Sequence, residues 1–525
     1  MIYMLCFLGL MFIDWSRGSQ VGSTWAWTVN LTGIVMAVIL FTLVPLKDFV
    51  KPVYLIYSLI CLAAMPAAYY WWWDHQALIY RDKLLTAVLN VWVLGLLAIH
   101  FLIRVKQGEQ KVRLSLLQVL AILCLIWMTI SANEDIWPVW YLVMFFLFWQ
   151  SSWDEKIRDQ MLWGMLDGIL AGFFAIQGLA FVFRPFDYIR YSGMYNNTNM
   201  NGLFYSISMA AFLGRLYLYR SQKGPRWKIV FNWLFAAAMC AFVLYTMCRT
   251  AMVAVIGLVV VFVIMADLIH LKDKAIHVAG RLLLFGLTIM LAMVLEYFPM
   301  RYLPAYFSHP IWYDGEWDEM RVQPNDSWDS WKYESFLYVL DELFLKFGID
   351  TDLYDRYHEL LPLLTLRVYA EEYPLYGMDG TETGITVTDD GILHTGNRSL
   401  DGRQLIYKIY LSDANLMGHP LRDSQFRIGS NFYVWHAQNI LVQVIFMYGI
   451  PAGILFFLIG LCIFRRSLKN LKGDMHGTAM VVLLFMTTRF LYGITEVTWY
   501  PGQIVLFLLF FLPKFLQSLD FDEKS

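Results

Sequence analysis

Long apolar runs recur along this chain, and most are close to the length of a helix that crosses a bilayer. Such a helix needs roughly 17–25 mostly apolar residues. Hydrophobic residues make up 59% of the 525 residues and charged residues only 16%, whereas soluble domains carry about a quarter charged residues. The pattern predicts an all-α, polytopic integral membrane protein.

Fourteen candidate spans can be recognised, of which the first and the sixth are short enough to be re-entrant or interfacial. If two neighbouring candidates did not cross the membrane, the orientation of the other spans would be unchanged. The sequence therefore predicts 12 or 14 transmembrane helices. The candidates lie near residues 1–13, 27–46, 53–73, 84–103, 114–131, 135–150, 161–183, 201–219, 229–247, 250–268, 280–298, 436–463, 477–496 and 500–517.

The distribution of basic residues predicts the orientation. With the N-terminus inside, the predicted cytoplasmic segments carry 21 Lys and Arg and the short outer loops carry 6, as expected from the enrichment of basic residues in cytoplasmic loops. We therefore expect N-terminal transmembrane helices over 1–298, an extracytoplasmic cap over 299–435, and C-terminal transmembrane helices with a short cytoplasmic tail over 436–525. The expected location is the plasma or inner membrane.

The predicted cap is far longer than an ordinary connector. It is acidic, with 22 Asp and Glu against 11 Lys and Arg. Helix-periodic apolar stretches from Tyr333 to Phe347 and from Leu405 to Leu416 predict a mostly helical fold. The Gly-, Thr- and Asp-rich stretch 376–400 is expected to be loop, with room for a short hairpin.

Composition excludes several other classes of protein. A net charge of −2 argues against a basic nucleic-acid binder. All six cysteines lie in or beside apolar runs, so neither a disulfide framework nor a CxxC metal pattern is predicted. The apolar N-terminus has no basic region before it and no small-residue cleavage site, and we interpret it as a first span.

The first polar motif is Gly193-Met-Tyr-Asn-Asn-Thr-Asn-Met-Asn-Gly202, which enters a predicted span. Unsatisfied amides are costly in hydrocarbon, so Asn197 and Asn199 form either a helix cap or a turn that faces a substrate. Arg190, just before this run, is either a solvated loop arginine or a cation for an anionic substrate.

Two further motifs lie at predicted span boundaries on the same side. Arg249, in Cys248-Arg249-Thr250, either snorkels to the interface or points into a protein cavity. His436 and Asn439 lie where the predicted cap re-enters the membrane. His436 is either a polar residue at a helix start or a general base, because an imidazole titrates near neutral pH.

Other ionisable residues fall within the predicted spans, where such groups usually pair or line a cavity. Asp167 and Arg215 are candidates for pairing between neighbouring helices, and Arg489 for packing or for the site. Glu496 belongs to the same set. Asp389-Asp390 is an acidic pair in an acidic loop, and no role is predicted for it.

Taken in order, these motifs resemble the O-antigen ligase and polymerase superfamily of membrane glycosyltransferases, which is similar to the GT-C class. The resemblance covers roughly residues 185–460 and includes the Gly449-Ile-Pro-Ala-Gly453 pattern after Asn439 and Asp401-Gly402-Arg403 within the predicted cap. Thr198 replaces a usual proline and Cys248 a usual serine, and the cap is unusually large.

The resemblance implies transfer of a glycan from a polyprenyl diphosphate donor on the outer face of the membrane, without a metal or cofactor. It implies that Arg249 and Arg403 bind the diphosphate, with Arg398 and Arg422 as alternatives to Arg403. His436 would accept the acceptor's proton or orient its hydroxyl, and the substrate-binding set would be Asn197, Asn199, Asn439 and Arg190.

Two questions stay open at the level of sequence. The resemblance does not separate a ligase from a polymerase, so the acceptor is a lipid, another glycan or a protein. A transporter or flippase of lipid-linked saccharides is the alternative function. Transporters usually show related halves, and we find no such similarity in this sequence.

Overall fold

A computed structural model shows the chain as a bundle of helices. It describes residues 1–18, 25–74, 78–133, 137–184, 186, 190–195, 197–307, 336–353, 356, 406–420, 426–428, 432–434, 436–497 and 502–517. The first seven helices are α1 (Ile2–Gly18), α2 (Trp25–Phe41), α3 (Pro52–Asp74), α4 (Leu78–Lys106), α5 (Leu116–Ile130), α6 (Trp137–Gln150) and α7 (Glu155–Phe183).

The central helices are α8 (Thr198–Ser221), α9 (Arg226–Thr246), α10 (Arg249–Val261), which continues as the π-helix Phe262–His270, and α11 (Ala275–Phe307). Next come α12 (Phe336–Lys346) and α13, which is helical over 406–412. The last helices are α14 (Ile440–Tyr448), α15 (Ile450–Asn470), α16 (His476–Gly493) and α17 (Ile504–Phe511), and 3-10 turns cover Leu46–Val50 and Leu512–Leu516.

Each of the fourteen predicted spans overlaps a helix, so the helical fold class is confirmed. Among the described residues, six helices are long and apolar enough to cross a membrane, and six further apolar helices are shorter. This is consistent with a helical, multi-pass membrane protein. The six longer segments are Leu85–Lys106, Glu155–Phe183, Arg226–Thr246, Arg249–His270, Ala275–Pro304 and Ile450–Asn470.

Helices α1 and α7 pack closely along a stripe of small residues. Gly164, Gly168 and Gly172 recur every four residues on α7 and so lie on one face. A Cβ atom at Gly168 would lie 2.5 Å from the carbonyl oxygen of Met4 and 2.6 Å from Cβ of Phe7. Small residues at this spacing let two helix backbones approach, which favours helix association in a membrane.

Helix α8 is largely enclosed, with a nearly continuous buried run from Asn201 to Leu218. It packs against α7, α9, α10 and α16. The N-termini of α8 and α10 and the C-termini of α9 and α16 all lie at one end of the bundle. We call it the motif end, because it carries residues 190–195, 197–199, 248–250, 436–439 and 494–496.

The opposite end of these helices is held by charged groups. Arg220 forms ion pairs with Asp267 and, at 2.6 Å, with Asp273, and Arg281 pairs with Asp273 at 2.7 Å. Burial would raise the pKa of Asp273, but hydrogen bonds from Arg281 and Arg220 outweigh burial and hold that pKa below its usual value. These contacts tie α8 to the π-helix and to α11.

The predicted pairing of Asp167 with Arg215 is confirmed, since an Arg215 Nη1 atom lies 2.8 Å from Oδ1 of Asp167 and joins α7 to α8. Arg489 serves packing. Its guanidinium donates to the carbonyl oxygen of Val505 at 2.6 Å and lies over the ring of Phe456.

The predicted span 436–463 is not one continuous helix. It is broken at Gly449, between α14 and α15, where φ is +89°. A Cβ atom there would lie 1.9 Å from the carbonyl oxygen of Leu416, so only glycine fits this turn. The backbone N–H of Ile450 donates to the carbonyl oxygen of Asn415 at 3.0 Å, which fastens the segment after α13 to the break.

Two predicted helical stretches of the segment 299–435 are present as α12 and α13, and α11 continues to Phe307. An antiparallel pair of strands, β1 (Phe426–Ile428) and β2 (Phe432–Val434), precedes His436. The stretch 376–400 lies outside the described residues. Tyr410 of α13 is fully buried and packs edge-on against Phe446 of α14, at a centroid distance of 4.8 Å.

Candidate functional site

The start of α8 is built by the asparagine run. Asn197 is the N-cap, and its side-chain oxygen accepts from the backbone N–H of Asn199 at 2.8 Å. The side chain of Asn199 is used differently. Its Oδ1 accepts from Arg190 at 3.3 Å, and its Nδ2 donates to Glu496 at 2.5 Å. The cap and the polar turn that the sequence left as alternatives are therefore both present, on neighbouring residues.

Arg190 is exposed and is positioned by two contacts. Besides Asn199, its Nε donates to the carbonyl oxygen of Thr246, the last residue of α9, at 3.1 Å. This contact places the Arg190 side chain beside the turn that leads to Arg249.

The turn between α9 and α10 puts Arg249 at the first position of α10, where its side chain is exposed. Cys248 is buried and lies 3.5 Å from the hydroxyl of Tyr492, which itself donates to the backbone carbonyl of Asn199. A Cβ atom on Gly202 would lie 2.7 Å from Cβ of Ala251, so this glycine allows α8 and α10 to meet closely beneath the turn.

His436 and Asn439 form a short, tightly bonded turn before α14. Asn439 is the N-cap, and its Oδ1 accepts from the backbone N–H groups of Leu441 and Val442. The side chain of Gln443 accepts from the N–H of Ala437 at 2.7 Å. Asn439 therefore caps the helix through its side-chain oxygen, and its Nδ2 is left to donate to a residue outside this turn.

The imidazole of His436 has a defined tautomer. The backbone N–H of Gln438 donates to its Nδ1 at 3.2 Å, so Nδ1 must be unprotonated and Nε2 must carry the proton in the neutral ring. Burial lowers the pKa of His436 below its usual value, which favours the neutral form near pH 7. The geometry thus makes His436 a hydrogen-bond donor at Nε2.

Three consecutive residues after α16 join the three motifs. The carbonyl oxygen of Ile494 accepts from Nδ2 of Asn439 at 2.9 Å. The hydroxyls of Thr495 and Thr250 lie 2.5 Å apart. Glu496 accepts from Asn199. We call residues 494–496 the bridging turn, because it contacts the asparagine run, the Cys-Arg-Thr element and the His-x-x-Asn element.

Helix α13 also reaches the bridging turn. The hydroxyl of Tyr407 lies 3.0 Å from the carbonyl oxygen of Ile494 and 3.2 Å from that of Gln438. Arg403 precedes this helix in the chain but lies outside the described residues, as do its alternatives Arg398 and Arg422. The structure therefore shows that α13 contacts the motif end through Tyr407.

Sequence analysis missed the bridging turn. Glu496 was noted only as an ionisable residue at the end of an apolar run, and Tyr407 and Tyr492 were given no role. The available signal was an acidic residue at the last position of a predicted span, on the same predicted side as the motifs. Its partner Asn199 is 297 positions away, so no local pattern predicts the contact.

Polar chemistry at the motif end is supplied by two exposed guanidinium groups, one imidazole, one carboxylate and three asparagine amides. Within the described residues, no group of three or more His, Cys, Asp or Glu side chains could hold a metal ion. Burial raises the pKa of the Cys248 thiol, which disfavours the nucleophilic thiolate there.

Comparison with known proteins gives no match to any family model, curated protein or solved structure. The resemblance to the O-antigen ligase and polymerase superfamily therefore stays a prediction from the motifs.

Proposed function

We propose that this chain is a membrane glycosyltransferase that transfers or polymerises a polyprenyl-diphosphate-linked glycan on the outer face of the plasma or inner membrane. The observation that carries the proposal is the bridging turn, whose three residues contact the three motif elements. Elements far apart in sequence that meet at one end of a bundle are typical of an assembled site. The motif order and the distribution of basic residues among the loops support an outward orientation of the motif end.

Recognition of the donor rests on cations. A lipid diphosphate is strongly anionic, and a guanidinium group binds phosphate oxygens in a bidentate manner. Arg249 and Arg190 are exposed at the motif end. Arg190 donates to Asn199, which donates to Glu496 of the bridging turn. Arg249 precedes Thr250, whose hydroxyl contacts that of Thr495. We assign the diphosphate to Arg249, with Arg190 beside it, and Arg403 as a further cation from the cap.

The developing charge of the leaving diphosphate is stabilised by these arginines as the glycosidic bond to the lipid breaks. Preorganised donors at a leaving group are worth several kcal/mol in a site with little water. Asn197 and Asn199 hold the turn beside the donor sugar. His436 orients the acceptor hydroxyl by donating from Nε2, which is the second of the two roles predicted for it. The reaction needs no metal ion or cofactor in this scheme.

The test is a transfer assay with purified protein, a polyprenyl diphosphate glycan, and glycan, lipid or protein acceptors, in the presence of a chelator. Arg249→Ala and His436→Ala should each lower transfer at least 100-fold, because each removes a group that contacts donor or acceptor. Arg226→Ala is the matched control. Arg226 is also exposed and is also the first residue of its helix, but it lies at the opposite end.

Full transfer activity in both motif variants would overturn the proposal. A wild-type protein that moves the lipid-linked glycan across liposome membranes without forming a transfer product would instead establish the flippase alternative. The identity of the acceptor that supports turnover separates ligase from polymerase.

A further inference from the structure

Glycan transfer to a hydroxyl group requires a proton acceptor, and the structure argues against His436 in that role. Its Nδ1 accepts from the backbone N–H of Gln438, so the neutral ring carries its proton on Nε2. Because Nε2 bears the proton, it has no lone pair with which to take the proton of the acceptor hydroxyl. Protonation of the ring at Nδ1 would form an imidazolium, and burial of the ring disfavours that charge.

Glu496 is the carboxylate that the described contacts place among the motif residues. Its Oε1 accepts from Nδ2 of Asn199 at 2.5 Å, and its backbone N–H donates to the carbonyl oxygen of Tyr492 at 3.1 Å. The side chain is half-buried, and its hydrogen bond with Asn199 holds it beside the start of α8.

The neighbours of Glu496 suit a carboxylate that acts on a bound substrate. The bridging turn to which it belongs contacts the cap of α14 through Asn439, three residues after His436, and the start of α10 through Thr250, next to Arg249. The carboxylate of Glu496 therefore belongs to the same turn that contacts the element proposed to bind the diphosphate and the element proposed to orient the acceptor hydroxyl.

We propose that Glu496 is the catalytic base of the transfer reaction, with His436 as the donor that orients the acceptor hydroxyl; this inference rests on the proposed function. As the acceptor oxygen forms its bond to the anomeric carbon of the donor, its proton passes to the carboxylate of Glu496. The bond between the anomeric carbon and the diphosphate oxygen breaks, and its electron pair leaves with the lipid diphosphate. The carboxylic acid then returns its proton to water.

Glu496→Gln is a sharp test, because a glutamine oxygen can still accept from Asn199 while the side chain can no longer take a proton. We expect kcat to fall at least 100-fold, in the range typical of a lost general base, with the KM for the donor and the melting temperature close to wild type. Glu109→Gln is the control. Glu109 is an exposed acid on the loop after α4 and should leave kcat unchanged.

A second variant separates a base from a positioning residue. Glu496→Ala should regain part of its activity when formate or azide is added, because a small anion can fill the space and accept the proton. A residue that only holds the turn would not be rescued in this way. His436→Gln should retain more activity than His436→Ala, since the glutamine amide can still donate to the acceptor hydroxyl.

The outcomes distinguish the two proposals. If wild-type protein transfers no glycan to any acceptor, the proposed function fails. If wild-type protein is active and Glu496→Gln keeps kcat within about threefold, or if formate and azide leave Glu496→Ala inactive, the assignment of the base fails and the transferase proposal stands.

Discussion

The side-chain amide of Asn199 donates to the carboxylate of Glu496 at 2.5 Å, although the two residues are 297 positions apart in the chain. The other side of the same amide accepts from Arg190. The orientation of the amide is therefore fixed by its two neighbours, since nitrogen faces the anion and oxygen faces the cation. One asparagine couples the start of α8 to the end of α16.

Asn199→Asp should destabilise the protein, because it places a second carboxylate against Glu496 and removes the donor. We expect a loss of about 1–3 kcal/mol, the usual cost of leaving a partly buried polar group without its partner. Thermal unfolding of the purified protein in detergent measures it.

The double variant Asn199→Asp with Glu496→Gln provides the control, since a glutamine Nε2 can donate to an aspartate and restore the hydrogen bond with its direction reversed. Its melting temperature should return most of the way to wild type. A double variant as unstable as Asn199→Asp alone would show that this hydrogen bond does not hold the turn.

Gly168→Ala should weaken the packing of α1 against α7, because the added methyl group would meet the backbone of Met4. Overpacking of this kind costs about 1–3 kcal/mol. The matched control is Gly178→Ala on the same helix, where an added Cβ has nothing within 4 Å. We expect the melting temperature to fall only for Gly168→Ala, and equal effects in the two variants would contradict the close approach of the helices.

Much of the helical architecture follows from the sequence, because each helix needs an apolar run and this chain repeats such runs clearly. The sequence raised the pairing of Asp167 with Arg215 only as a possibility between neighbouring helices, and the structure shows the contact. Helices α12 and α13 followed from the periodicity of their apolar residues.

What the sequence did not predict depends on contacts between distant segments. The bridging turn contacts three motif elements that are far from it in the chain. The sequence around residues 494–496 gives no sign of those contacts. The break at Gly449 was different, because Gly-Ile-Pro inside an apolar run is a recognised breaker signal. We interpreted that stretch as part of a family pattern within one span and so predicted a continuous helix.

Asp267→Asn should destabilise the opposite end of the bundle. Asp267 is buried and pairs with Arg220 and Arg281. Both arginines keep Asp273 as a partner, so we expect the loss of about 1.5–3 kcal/mol that accompanies a lost hydrogen bond to a charged group. Glu109→Gln is the comparison, since the Arg104–Glu109 pair is exposed and such pairs contribute about 1 kcal/mol or less. Thermal unfolding should separate the two variants clearly, and similar small shifts in both would contradict the structural role of the network.

The titration of His436 should show a midpoint below 6.5, because burial lowers its pKa. A histidine with a lowered pKa in the folded state contributes stability that is complete above about pH 6.5 and is lost as the pH falls from there through the folded pKa. Nitrogen NMR of histidine-labelled protein, assigned by comparison with His436→Gln, reports both the midpoint and the protonated nitrogen. A midpoint above 6.5 would contradict the effect of burial on the pKa of His436, and a proton on Nδ1 in the neutral ring would refute the assigned tautomer.

The break at Gly449 between α14 and α15 separates the segment that crosses the membrane from the segment that carries the His-x-x-Asn element. The 21 residues of α15 rise about 32 Å, close to the roughly 30 Å of a hydrocarbon core, so α15 is long enough to cross alone. The nine residues of α14 are then not needed for the crossing. The contact of Asn439 with Ile494 fixes the turn before α14 relative to the end of α16. A bilayer that thins or thickens would therefore act on α15, while the residues of the motif end keep their positions relative to one another.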